Sequence, residues 1–99
     1  MDLPLDFTQT LTVSKTGWYL LSFDAVATVD GEYRTWFTID GRRDKSTDQI
    51  TLAREGVAVE IRHRAFAVKL EAGQTVAVRG MVAAPLQRMR FLVRPQVVD

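Results

Sequence analysis

Leu5, Phe7, Leu11 and Val13 alternate with polar residues, and Gln9 is the one polar member of their face. This period of two marks a half-buried β-strand. Ser14-Lys15-Thr16-Gly17 then reads as a turn. From Trp18 to Val29 the alternation resumes over a long strand. Tyr19, Leu21, Phe23, Ala25, Ala27 and Val29 form a uniformly apolar face, assigned inward, and Trp18, Leu20, Ser22, Asp24, Val26 and Thr28 form the outward one. Asp30-Gly31 is a hairpin signal, because both residues tolerate positive φ. The next strand, Glu32 to Ile39, sets Tyr33, Phe37 and Ile39 against Glu32, Arg34 and Trp36. Asp40-Gly41 signals a second hairpin, and residues 42–49 read as a polar surface loop with room for a short edge strand before Ile50-Thr51-Leu52.

Glu55-Gly56 marks a further turn, after which Val57, Val59 and Ile61 alternate. Beyond His63 the apolar phase moves by one residue, to Phe66, Val68 and Leu70. A slip of one residue exchanges the two faces of a strand, so it predicts a bulge, a bend or two separate strands. Glu71 to Gln74 forms a turn, Val76, Val78 and Val82 form the next strand face, and Ala83-Ala84-Pro85 interrupts it. In the last strand Met89, Phe91 and Val93 alternate with Arg88, Arg90 and Arg94, and Pro95 ends it. The pattern predicts about eight short antiparallel strands, the spacing of an all-β sandwich or barrel. No segment sustains helical spacing, and there are no internal repeats.

The 99 residues make a single domain, 1–99. A cysteine-free chain of this size has no disulfide to stabilise it, so self-association is the expected source of extra buried area. The formal net charge of +1 argues against nucleic acid as an obligate partner. Charge is nonetheless uneven: residues 1–50 hold five basic and eight acidic side chains, residues 51–99 eight basic and four acidic. No apolar run approaches the roughly 20 residues of a membrane-spanning helix. Met1 to Asp6 lacks the basic and apolar regions of a secretory signal, which sets the expectation of cytosolic synthesis without export.

Two segments bring in a family. Gly17-Trp18-Tyr19-Leu20-Leu21-Ser22-Phe23 resembles the Gly-x-Tyr-x-x-x-Phe strand of the jelly-roll superfamily of tumour necrosis factor and the complement globular head. Val68 to Val78 is similar to that superfamily's leucine, two residues, glycine-aspartate, x, valine turn, with Gln74 where the family has aspartate. Phe91-Leu92-Val93 stands where its closing strand would be. The resemblance implies an antiparallel jelly-roll sandwich and a homotrimer packed through aromatic and aliphatic side chains. It also implies binding in place of catalysis. A short jelly roll without a stalk fits a bacteriophage virion, as a knob stabilising the capsid or, alternatively, as a receptor- or carbohydrate-binding fibre tip.

The side chains suited to chemistry are few. His63 is the only histidine, set between Arg62 and Arg64, and no nucleophile elbow accompanies it. A structural histidine is the expectation, with no catalytic residue and no cofactor. Asp40, Asp44 and Asp48 recur at intervals of four in a polar loop, and loop carboxylates can hold calcium. The spacing is not that of an EF-hand and Arg42, Arg43 and Lys45 offset the charge, so a solvated loop is expected and no metal site is assigned. Arg88, Arg90 and Arg94, with Arg62 and Arg64, are candidates for a basic surface facing an acidic protein or polysaccharide, because the guanidinium fork pairs bidentately with carboxylates. Trp18 and Trp36, both on outward faces, and Leu20 are candidates for a subunit interface or a sugar-stacking platform, the competing reading being that a face is misassigned and both tryptophans belong to the core.

Overall fold

A computed structural model describes residues 5–43 and 47–96. Its strands are β1 (Leu5–Thr12), β2 (Gly17–Ala27), β3 (Gly31–Ile39), β4 (Arg42–Arg43), β5 (Gln49–Ala53), β6 (Val59–Leu70), β7 (Thr75–Val82) and β8 (Gln87–Pro95). They form two antiparallel sheets. One has five strands in the order β1-β7-β3-β4, with β5 also paired to β3. The other has three, β6-β2-β8. The described residues thus form an all-β sandwich of eight short strands.

The inward face expected for β2 is the core. Tyr19, Leu21, Phe23, Ala25 and Ala27 are buried, and they meet Tyr33, Phe37, Val76, Val78 and Val82 of the opposite sheet. Aromatic rings join the layers: Phe7 stacks on Phe23 at 5.4 Å, and Phe37 on Phe91 at 6.0 Å. Such pairs add to the roughly 1.5–3 kcal/mol that burial of each large apolar side chain provides. Gly80 lies opposite Phe7 on the β1–β7 ladder. A Cβ there would fall 2.1 Å from the Phe7 ring, so only glycine leaves the aromatic room to lie across the strand. Two tyrosines fasten the strand entrances: the Tyr19 hydroxyl donates to the Lys15 carbonyl and the Tyr33 hydroxyl to the Val29 carbonyl.

Three expectations are corrected. Asp30-Gly31 does not close a hairpin, because β2 and β3 lie in different sheets and do not pair. The link crosses the sandwich instead, with Gly31 at φ 146° and a Cβ there only 2.3 Å from that of Ala83. Left-handed backbone suits a close crossing as well as a hairpin, which is why the dipeptide misled. Asp40-Gly41, by contrast, does close the β3–β4 hairpin, with φ of 50° and 80°. The phase slip in β6 is a bulge within one strand, where Tyr19 faces Val68 and Leu21 faces Ala65. Ala67 takes the positive φ of 53°, and the inward phase runs Ile61, His63, Ala65 and then Val68, Leu70. Phe66 therefore points away from the core and is 68% exposed. Val29, at the end of the inward series of β2, is likewise exposed past the strand's last residue.

The candidate site on the outer face of the three-stranded sheet

Directly paired residues of an antiparallel ladder share a face. With Tyr19, Leu21 and Phe23 inward, Trp18, Leu20, Ser22, Asp24 and Val26 run down the outer face of the central strand β2. Across the two ladders Trp18 faces Lys69, and Leu20 faces Arg94. Ser22 lies between Arg64 and Leu92, and Asp24 between Arg62 and Arg90. Val26 lies between Glu60 and Gln87. A bulge between Asp24 and Val26 brings in Arg88, which holds φ 54° and joins Arg62, Arg64, Asp24 and Glu60 around a groove of about 320 Å³. Seven of the eight side chains singled out in the sequence thus share one face: Trp18, Leu20, Arg62, Arg64, Arg88, Arg90 and Arg94.

The face has two ends. Near the β6 bulge, Trp18 is 46% exposed and Phe66 projects opposite Leu20, giving an apolar end. The other end is basic. Arg64 donates to Asp24 at 2.9 Å and to the carbonyls of His63 and Phe23 at 3.2 and 3.4 Å, which anchors it. Arg62 pairs with Glu60 at 3.0 Å with both side chains largely in water, a pair worth at most about 1 kcal/mol. Arg88, Arg90 and Arg94 form no ion pair among the described residues. Six cations therefore meet two carboxylates on this face, a local positive excess that the near-neutral total conceals.

Trp36 does not belong to this surface. It lies on the outer face of the other sheet, opposite Arg79, as the alternation predicted. It is only 8% exposed, however, because the Arg43 guanidinium covers its ring at 4.0 Å. Arg43 is held there by a bidentate bond to Asp48 at 3.0 and 2.7 Å. Alternation assigns a face, but not what the next hairpin folds over it, so Trp36 is corrected from an exposed candidate to a covered residue. Ser22, Asp24, Lys69, Phe66 and Leu92 were absent from the sequence-based set. The pairing register that brings them together is long-range, and no local pattern reveals it.

The other chemical candidates have structural partners. His63 is 3% exposed and sits between the sheets, its Nδ1 3.0 Å from the Thr35 hydroxyl and its ring 4.4 Å from that of Phe37. Burial holds its pKa below the ordinary value, against a backbone hydrogen bond with Thr47 and the nearby Asp48 carboxylate, which favour the charged form. Asp40 accepts bonds from the Thr75 amide at 2.9 Å and from the Gln74 amide group at 3.0 Å. Those bonds, the Thr75 one foremost, keep its carboxyl below the usual range. Asp44 lies outside the described residues, and no three His, Asp or Glu side chains gather among the described ones. No family model, curated protein or solved structure matches the chain.

Proposed function

We propose that the protein is a non-enzymatic structural module that docks on a larger assembly through the outer face of its three-stranded sheet. The observation that carries this reading is the gathering of Trp18, Leu20 and five arginines on that one face. Aromatic side chains and arginine are both enriched at protein interfaces, and this face carries an apolar end beside a basic one. A non-catalytic role is supported by the position of His63, which is enclosed against Phe37 and Thr35 where no substrate reaches it. The assembly we infer is a virion shell on which the protein acts as a capsid-decorating knob, following the superfamily resemblance of Gly17–Phe23 and Val68–Val78. In the same reading the protein is a jelly-roll homotrimer. Exposed Leu5 and Leu11 on the edge strand β1, and a groove of about 340 Å³ near Leu11, Tyr19 and Val93, are surfaces suited to a second copy. Adding purified protein to shells that lack it should raise their melting temperature saturably, because a ligand that binds only the assembled state stabilises it by mass action. No change in melting temperature rejects the decoration role.

One observation favours a second reading. Trp18 is exposed beside Lys69 and one row from Arg94, an arrangement suited to stacking on an acidic sugar. Tight binding to a cell-surface glycan without shell binding would establish a recognition module instead.

A further inference from the structure

We infer that the bulge at Arg88 is an anchor pocket for a carboxylate side chain of an acidic protein partner. The inference rests on the docking reading and specifies its partner chemistry. Arg88 holds φ 54°, a conformation that glycine adopts freely and arginine does not. The β8 bulge sets this backbone, as the β6 bulge does at Ala67, and here it brings a third guanidinium to a groove already lined by Arg62 and Arg64. Arg64 is committed to Asp24 and the backbone, and Arg62 is only weakly held by Glu60 at the solvent side. Arg88 adds a charge that no described carboxylate neutralises. At about 320 Å³ the groove is large enough to take a carboxylate side chain of a partner. A carboxylate there accepts two parallel N–H bonds from one guanidinium.

The surroundings favour protein over polysaccharide or nucleic acid. Asp24 and Glu60 lie within the same groove and repel a continuous polyanion, whereas an acidic protein surface can offer one carboxylate to the pocket and apolar side chains to Leu20, Leu92 and Val26. The β8 edge beside the pocket is interrupted by its own bulge, so the contact is made by side chains and not by strand addition.

Arg88→Gly tests the inference, because it removes the guanidinium and relieves the strained backbone together. Binding of a short end-capped peptide with a single glutamate flanked by leucines is followed by amide chemical shifts at low salt, with Arg79→Gln on the opposite sheet as the variant of equal charge loss. The expected result is shift changes centred on Val26, Glu60 and Arg88, affinity about tenfold lower in Arg88→Gly, a near-normal affinity in Arg79→Gln, and an unchanged or higher melting temperature for Arg88→Gly. Equal weakening by the two variants overturns the pocket and leaves only diffuse charge attraction. Tighter binding of duplex DNA or a sulfated polysaccharide than of the single-glutamate peptide overturns the partner class. Arg88→Gly that still stabilises shells as wild type does would remove the anchor while leaving the docking role intact. Pocket binding of the single-glutamate peptide without any shell binding would do the reverse.

Discussion

His63 shows how one residue can couple stability to pH. Its imidazole is buried between Phe37 and Thr35, and its folded pKa lies below the ordinary 6.5. Between those two values the unfolded chain binds more protons than the folded one. Stability is therefore complete above about pH 6.5 and declines as the pH falls from there toward the lowered folded value. Asp48 moderates the decline and Arg64 reinforces it. Urea midpoints at about pH 8 and about pH 5 should differ in wild type and converge in His63→Gln. A pH-independent wild-type midpoint would contradict the assignment. Gly80 offers a second test at this scale. Gly80→Ala should lower stability by about 1–3 kcal/mol, since the added methyl meets both the Phe7 ring and, at 2.9 Å, the Arg34 carbonyl oxygen. Phe7→Leu in the same chain should recover part of that loss in thermal unfolding.

At the scale of the element, alternation was sufficient to read β2, β3 and β7, because each has one face on the core and one outside it, whereas in β1 and β8 only Phe7, Phe91 and Val93 of the apolar series pack on the core and Leu5, Leu11 and Met89 are exposed. It also located the irregularity in β6 to within a few residues. It failed where a long-range event decides. Phe66 is as apolar as any core residue, and only the paired register with Tyr19 and Leu21 reveals that the bulge turns it outward. Asp30-Gly31 and Asp40-Gly41 have the same chemistry, yet one crosses between sheets and the other closes a hairpin. Asp40 does more than turn the chain. Its carboxylate accepts from Thr75 and Gln74, tying the β3–β4 turn to the β6–β7 turn. Asp40→Ala should destabilise the fold and raise amide exchange at Thr75 first. In wild type this contribution is present above the ordinary carboxylate range and is lost as pH falls through the lowered Asp40 pKa.

For the whole molecule, the five arginines were legible as candidates because they alternate with core residues on β6 and β8. Their convergence was not, since it depends on β2 lying between those two strands. The self-association proposed above predicts a solution mass about three times the 11.2 kDa of the chain. Light scattering at micromolar concentration measures it, and a well-folded monomer would refute the trimer. Iodide quenching should leave Trp36 shielded beneath Arg43 in every state, so any protection gained on assembly reports Trp18.

The pairing of β1 with β7 sets Leu5 against Val82, and that of β2 with β8 sets Tyr19 against Pro95. The first ladder cannot close until β7 has left the ribosome, and the second until β8 has. Among the described strands the shorter-range ladders are those around Asp40-Gly41, β3–β4 with two residue pairs and β3–β5 with five. Loop-closure entropy must therefore be met before contacts reward it, which places folding in the slow regime of non-local β topologies, milliseconds to seconds. A nascent chain stalled before β8 emerges should remain protease-sensitive throughout, and emergence of β8 should confer resistance in a single step.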